Sequence, residues 1–174
     1  MLKLILVCLI FCSVFPAVLG FNLPTWNVEP QSGELPTPRS SAGLAKIKHE
    51  LILFGGHEQC PDDSFCVIQF FNDIHKYNFQ TNSWSEPIIT SVSRPGIRTF
   101  FPYVTDVDSM IIYGGLNYSL PNVNVYGDLW RFFPSTNSWV ELAQYNTGPG
   151  QRAGAGMVLF DNKLYIGFGI DQTL

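Results

Sequence analysis

Two stretches of this 174-residue chain repeat one another: NDIHKYNFQTNSW at residues 72–84 and GDLWRFFPSTNSW at residues 127–139. Each follows an apolar run that ends in a glycine pair, LILFGG at residues 51–56 and MIIYGG at residues 110–115. Self-similarity at a regular interval indicates a repeat architecture, in which each copy is one unit of supersecondary structure.

An arginine precedes each glycine pair at the same interval. Arg39 and Arg98 lie sixteen positions before the first glycine of their pairs. Arg152 begins a third copy, in which Phe168 occupies the place of that first glycine and Gly169 keeps the second. The sequence therefore contains two full copies of the unit and the first part of a third.

Each copy has the pattern of a small antiparallel β-sheet. The apolar runs before the glycines are continuous, which is typical of a strand that is covered on both faces. Glycine ends such a strand, and Thr-Asn-Ser favours a turn because short polar side chains bond nearby backbone. We therefore predict an all-β chain with strands at residues 44–47, 51–54, 73–77 and from Trp84 in the first unit, and at residues 101–105, 110–113, 128–132 and from Trp139 in the second.

These copies resemble kelch repeats. The kelch pattern is an apolar run into Gly-Gly, then an aromatic residue and a tryptophan, here Tyr77 with Trp84 and Phe132 with Trp139 at equal spacing. The resemblance implies a β-propeller with one repeat per blade, and a chain of this length is expected to form an incomplete one. The predicted units are residues 39–92 for repeat 1, residues 93–147 for repeat 2 and residues 148–174 for a partial repeat 3.

The segment before the first repeat resembles the end of a repeat. Trp26 lies thirteen residues before Arg39, as Trp139 lies thirteen residues before Arg152. In many propellers an N-terminal strand completes the last blade, so residues 21–38 are predicted to supply the outer strand of a missing last blade and a linker. We therefore expect a fragment of about two and a half blades plus this outer strand.

Residues 1–20 are predicted to be a secretory signal peptide. Lys3 gives a positive start, a nearly unbroken apolar run covers residues 4–18, and Gly20 offers a small residue for cleavage. The alternative is an uncleaved membrane anchor, but the run is shorter than the roughly 20 residues that a spanning helix needs. The mature chain is expected to be secreted or in the secretory-pathway lumen, with no membrane span.

Two cysteines and one sequon fit that compartment. Cys8 and Cys12 leave with the signal peptide, so Cys60 and Cys66 remain and are predicted to form a disulfide in an oxidising environment. Asn117 begins an Asn-Tyr-Ser sequon inside a predicted loop, and we expect it to carry an N-linked glycan.

Charge and motif content argue against several functions. A net charge of −4 without a basic run argues against a nucleic-acid partner. The three histidines, His49, His57 and His75, show no metal-ligand spacing. The chain has no Gly-x-Ser-x-Gly motif, and neither mature cysteine is expected to be free. We therefore predict no catalytic residue, no metal site and no cofactor.

Residues that recur in each unit are expected to have structural roles, because function on a repeat scaffold resides in loops that differ between repeats. The recurring residues are Arg39, Gly55, Gly56, Tyr77, Trp84, Arg98, Gly114, Gly115, Phe132, Trp139, Arg152 and Gly169.

The two long connections at residues 57–71 and 116–126 differ between the repeats, and they form the predicted binding surface. Long loops on the same side of neighbouring blades present a surface to a partner. The competing interpretation of their charged residues is ordinary solvation. The candidate binding residues are His57, Glu58, Asp62, Asp63, Asn122 and Asn124.

The function predicted from these features is that of a non-catalytic extracellular module that binds a protein or a glycan. One alternative is a secreted kelch-fold enzyme, similar to galactose oxidase or to the sialic acid epimerases. The oxidase type needs His and Tyr copper ligands and a Tyr–Cys cross-link, for which these residues give no support. Another alternative is an intracellular kelch adaptor, which normally carries a helical domain where this chain has its predicted signal peptide.

Overall fold

The computed structural model describes residues 8–11, 25–58, 68–119, 122–144 and 148–172. All regular secondary structure in these residues is β-strand, which confirms the predicted fold class. No helix in the described ranges is long and apolar enough to cross a membrane. The strands of this part of the chain are β1 (Cys8–Phe11), β2 (Thr25–Val28), β3 (Ser32–Gly33), β4 (Gly43–Ile47), β5 (Glu50–Phe54), β6 (Ile74–Asn78), β7 (Ser83–Ser85), β8 (Tyr103–Asp106), β9 (Ser109–Tyr113), β10 (Leu116–Ser119), β11 (Asn122–Val125), β12 (Leu129–Phe133), β13 (Ser138–Glu141), β14 (Gly156–Phe160) and β15 (Lys163–Gly167).

The first repeat forms an antiparallel blade in the order β4-β5-β6-β7, and its strands begin within one residue of the predicted positions. A further strand, β3, pairs in parallel with β7, so that Gly33 lies opposite Trp84. No pattern in the sequence predicts this fifth strand. It covers the outer edge of the blade with the segment that precedes the first repeat.

The second repeat forms a blade in the order β8-β9-β12-β13. Its first strand begins at Tyr103, whereas the sequence predicted residues 101–105. Phe100 has a left-handed backbone (φ 54°), and Pro102 has no N–H to offer a strand ladder, so the chain becomes regular only after it. Phe101 nevertheless points into the core and is 7% exposed.

One hydrophobic core joins the two full blades. The rings of Phe54 in the first blade and Trp139 in the second lie 4.7 Å apart, and Trp139 also contacts Phe132 at 5.0 Å. All five residues of β9 are buried, as expected for a strand covered on both faces. The core residues are Ala45, Ile47, Ile52, Phe54, Ile74, Phe101, Met110, Ile112, Trp130, Phe132 and Trp139.

The partial third repeat supplies the antiparallel pair β14–β15, and β14 packs beside β8. Apolar side chains of this pair are exposed, including Val158, Phe160 and Tyr165. In the two full blades the counterparts of β15, which are β5 and β9, are mostly buried. The structure is thus an incomplete kelch-type propeller, with two full blades followed by two strands.

The N-terminal strands β1 and β2 pair with each other in an antiparallel ribbon. β2 lies in the segment predicted to be the outer strand of a last blade, and β1 lies within the predicted signal peptide. Both assignments stay predictions.

The connection at residues 116–126 was predicted as a loop, and this prediction was wrong. It forms the hairpin β10–β11, in which Leu116 pairs with Val125. Both side chains are buried in a small cluster with Ala153 of the third repeat. Burial of this apolar pair outweighs the turn-forming tendency of Asn117, Asn122 and Asn124, so Asn117 lies on a strand.

Candidate binding face

The long connections of the described residues emerge at one end of the blade strands, which we call the loop-rich face. It is formed by the strand connections at residues 55–58, 68–73, 114–119 and 122–128 and the inter-blade segments at residues 86–102, 142–144 and 148–155. The opposite end, the turn face, has short turns at residues 48–49, 79–82, 107–108, 134–137 and 161–162.

Arg98 fixes the connections of the second blade. Its side chain is almost fully buried, and its guanidinium donates to both carboxylate oxygens of Asp128 at 2.7 and 2.8 Å and to the Gly114 carbonyl at 2.9 Å. Burial disfavours the charged carboxylate, but the hydrogen bonds and charge of Arg98 and a hydrogen bond from Trp130 lower the pKa of Asp128. Arg98 therefore links the inter-blade segment at residues 86–102 to Asp128 and to the turn at Gly114.

Arg39 makes the equivalent contacts in the first blade. It donates to Asp73 at 2.9 Å and to the Gly55 carbonyl at 3.2 Å, and His75 occupies the position of Trp130 and lies 3.1 Å from the same carboxylate. Burial opposes ionisation of Asp73, but the hydrogen bonds of His75 and Arg39 hold its pKa well below its usual range. Because this pKa is lower than in the unfolded chain, the pair stabilises the fold above the ordinary carboxyl pKa, and the stabilisation is lost as pH falls.

In the third repeat, Arg152 is less buried than Arg98 and donates to the backbone carbonyls of Phe168 and Pro149 at 3.0 and 2.8 Å.

The glycines that recur after the apolar runs all have left-handed backbone. Phe168, at the first glycine position of the third repeat, and several other glycines share this conformation. The recurrent glycines are Gly55, Gly56, Gly114, Gly115 and Gly169.

Four rings form an aromatic cluster on the loop-rich face: His57, Phe70, Phe100 and Tyr118. The His57 ring lies between Phe70 and Phe100, with centroids 5.6 and 5.7 Å away, and Phe70 lies 6.0 Å from Tyr118. Phe100 and Tyr118 are 43% and 44% exposed. The cluster therefore joins the connections of both full blades and presents ring surface to solvent.

The His57 ring is held in place at both nitrogens. Nδ1 lies 3.0 Å from the Thr99 hydroxyl and Nε2 lies 3.1 Å from the Ser40 hydroxyl. Burial lowers the pKa of His57, so the ring is neutral at pH 7. A neutral imidazole fixed between two phenyl rings acts as a flat aromatic surface.

Phe100 occupies a strained backbone position. Two residues after the arginine of each repeat, Ser41, Phe100 and Gly154 all have left-handed φ values of 53, 54 and 64°. This conformation costs an L-residue about 1–2 kcal/mol, and Phe100, at 43% exposure, is only partly buried. Strain held at an exposed aromatic residue points to a functional surface.

An open cavity of about 500 Å³, the rim cavity, lies where the first blade meets the N-terminal segment. Phe70 lines this cavity and belongs to the aromatic cluster, so the two adjoin at this ring. The Glu34 carboxylate accepts a hydrogen bond from the Glu86 N–H at 2.8 Å, which brings two acidic residues together. The described lining is Glu34, Leu35, Thr37, Gln69, Phe70, Phe71, Asn72, Asp73, His75 and Glu86.

The predicted binding residues fall in different places. His57 is in the aromatic cluster, and Glu58 follows it and donates its N–H to the Gln69 carbonyl at 2.8 Å. Asn122 and Asn124 are exposed on β11. The remaining loop residues, Asp62, Asp63, Cys60 and Cys66, lie outside the described residues, so their binding and disulfide roles stay predictions.

Asn117, the predicted glycosylation site, lies opposite Asn124 in the β10–β11 hairpin and is 8% exposed. Its Oδ1 is buried without a hydrogen-bond partner among the described residues. The placement leaves little room around the side chain, and glycosylation of Asn117 stays a prediction.

Phe70, Phe100 and Tyr118 and the acidic residues of the rim cavity were not among the predicted site residues. A signal for Phe100 exists in the sequence, because Ser41 and Gly154 occupy its position in the other repeats and both are small. Phe70 and Tyr118 belong to connections of different blades, and only the fold brings them together.

Comparison with known proteins identifies several related chains. The family model described as the KLHDC2/KLHL20/DRC7 Kelch-repeats domain matches residues 16–173. The chain is 29% identical to N-(sulfonatooxy)prop-2-enimidothioate sulfolyase of Thlaspi arvense, over 84% of this chain and 40% of that protein. It is 26% identical to host cell factor 1 of Homo sapiens, over 86% of this chain and 7% of that protein.

The solved structure titled "Structure of YjhT" superimposes with a TM-score of 0.64 at 21% identity, and the match covers 82% of this chain and 48% of that one. At this identity the likeness shows the fold alone. The chain spans less than half the length of each of these three proteins.

Proposed function

Because this chain belongs to the family of the KLHDC2/KLHL20/DRC7 kelch-repeat domain, we propose that it is a secreted, non-catalytic binding module whose loop-rich face contacts an extracellular protein or glycan. The observation that carries the proposal is the aromatic cluster. Rigid aromatic rings contribute large contact area at a small cost in side-chain entropy, and they dominate the energy of many interfaces.

The scaffold around the cluster supports this role. Arg39 and Arg98 hold the connections from within, and Thr99 and Ser40 fix the central ring. A surface that is ordered before binding loses little conformational entropy when a partner arrives, which favours affinity.

Replacing Phe100 with Ser is expected to weaken partner binding about tenfold or more, as at an interface hot spot. Ser stands at the equivalent position in the first repeat, so the backbone accepts it. The measurement is binding of the full chain to a displayed library of random linear peptides and to an array of N- and O-linked glycans, followed by titration of the best ligand.

Val107→Ser is the matched control, because Val107 is 87% exposed in a turn at the turn face. It removes an exposed apolar side chain without touching the loop-rich face, and binding is expected to be unchanged. Equal loss in both variants, or binding by neither ligand class, would contradict the proposal.

Secretion is expected to remove residues 1–20, so that the mature chain begins at Phe21. Lys3 and the apolar run at residues 4–18 support this part of the proposal. The measurement is N-terminal sequencing of the C-terminally tagged full chain from the medium of secreting cells. Lys3→Glu together with Leu9→Arg should abolish export. A chain that stays in the cytosol with residues 1–20 intact would refute secretion.

A further inference from the structure

We propose that the loop-rich face binds a protein segment in which an arginine adjoins apolar residues, with the guanidinium in the rim cavity and the apolar residues on the aromatic cluster. This inference rests on the proposed function and names its partner. The proposal rests on the position of two acidic residues, Glu34 and Glu86, beside the exposed rings of the aromatic cluster. Phe70 belongs to both features and connects them.

The described lysines lie at one end of the molecule. Lys46, Lys48 and Lys163 lie beside the short turns of the turn face, and the Lys76 ammonium reaches that face to donate to the Pro134 carbonyl. No described lysine lies on the loop-rich face. The turn face also holds Glu50, Asp106, Asp108 and Asp161, so its charges nearly balance. A basic partner therefore meets the lysine-free loop-rich face more favourably than the turn face.

Among the described residues of the loop-rich face, the acidic residues that have no arginine partner outnumber the arginines that have no acidic partner. Arg39 and Arg98 are engaged by Asp73 and Asp128, so each pair contributes no net charge. Glu34, Glu58 and Glu86 then face two unpaired arginine charges, Arg94 and Arg152, which leaves one net negative charge on the described part of this face. Arg94 lines a neighbouring cavity that shares Asn72, Asp73 and Glu86 with the rim cavity. A positively charged ligand complements this distribution.

The rim cavity itself offers groups that accept hydrogen bonds. Glu34 and Glu86 are exposed, and the bond from the Glu86 backbone N–H to the Glu34 carboxylate places the two residues side by side. His75 is 6% exposed, lines the cavity, and has an Nδ1 without a hydrogen-bond partner among the described residues. The cavity described here contains acceptors and no Lys or Arg of its own.

Arginine fits this surface better than lysine. Its planar guanidinium pairs with carboxylates through several N–H groups and stacks on aromatic rings, whereas the lysine ammonium is a compact and strongly hydrated charge. Phe70 provides a ring at the edge of the cavity, and Phe100 and Tyr118 provide apolar surface beyond it. A neutral glycan would stack on the rings but would leave the acidic residues without a counter-charge.

The experiment selects random linear peptides on the immobilised full chain, on the Glu34→Gln/Glu86→Gln variant and on the Phe100→Ser variant, and sequences the enriched pools. The full chain is expected to enrich arginine next to aliphatic or aromatic residues. The Glu-to-Gln variant should lose the arginine excess and bind the best peptide about tenfold more weakly. Rising ionic strength should weaken binding to the full chain and hardly affect the variant.

Asp108→Asn/Asp161→Asn is the control, because it makes the same change in net charge in turns of the turn face and should keep the arginine excess. Peptides enriched without an arginine excess, or an excess that survives in the Glu-to-Gln variant, overturn this inference while the proposed function stands. Binding to glycans but not to peptides overturns it as well. If neither class binds, the proposed function itself fails.

Discussion

Replacement of Arg98 by Met is expected to lower the free energy of unfolding by about 3–5 kcal/mol, the cost of breaking a buried ion pair by removing one partner. The guanidinium is 1% exposed and makes hydrogen bonds to both oxygens of Asp128 and to the Gly114 carbonyl. Met fills similar volume but leaves the carboxylate without its counter-charge. Urea denaturation of the purified chain measures the difference.

Arg152→Met provides the matched control. Arg152 occupies the same position in the third repeat, but it is more exposed, and its hydrogen bonds above are to two backbone carbonyls. Its replacement should cost about 1 kcal/mol or less. Arg98→Lys is a second variant that keeps the charge without the bidentate geometry, and an intermediate loss is expected. Similar losses for Arg98→Met and Arg152→Met would contradict the role assigned to the buried pair.

The strands of the two full blades could be predicted from sequence because their signals are local. The apolar runs before Gly55 and Gly114 mark strands covered on both faces, and the Thr-Asn-Ser turns mark to within one residue where the outer strands of Trp84 and Trp139 begin. Where pairing depends on a distant segment, local signals fail. β3 is only two residues long and exists because β7 offers it an edge.

The binding face was predicted less completely than the fold. The sequence places the long connections on one side of the blades, because alternating strands return the chain to the same end. Which side chains meet there depends on how the blades pack against one another. That packing sets the φ of Phe100, the hydrogen bonds of His57 to Thr99 and Ser40, and the contact between the Phe70 and Tyr118 rings. None of these contacts has a local pattern, so the aromatic cluster emerges only from the three-dimensional structure.

Phe100 shows how the repeat scaffold and the site are connected. Its N–H points to the Ser41 carbonyl of the first blade at 3.4 Å, and its own carbonyl accepts a hydrogen bond from Gly154 of the third repeat at 2.7 Å. The exposed ring is thus supported by backbone of the repeats on either side. Any change that displaces the third repeat from the second should therefore disturb the binding face as well as stability.

Gly114→Ala is such a change, and it is expected to lower the free energy of unfolding by roughly 2–5 kcal/mol through left-handed backbone and overpacking together. Gly114 has φ +58°, and an added Cβ would lie 2.4 Å from the Arg152 carbonyl oxygen and 2.9 Å from that of Tyr126. Both contacts are with backbone, which has little freedom to retreat. The Arg152 carbonyl also accepts a hydrogen bond from the Gly115 N–H at 2.8 Å, so the clash would disturb a contact that joins the second and third repeats.

Gly154→Ala separates the cost of the left-handed backbone from the cost of overpacking. Gly154 has a similar φ of +64°, but an added Cβ would have no atom within 4 Å, so only the backbone cost of about 1–2 kcal/mol is expected. Denaturation of both variants in urea gives the comparison, and titration with a peptide selected on the full chain reports on the binding face. Gly114→Ala should lose more stability and more affinity than Gly154→Ala, because it alone pushes the third repeat away from the backbone that supports Phe100. Equal losses in the two variants would show that packing at this junction has no part in either property.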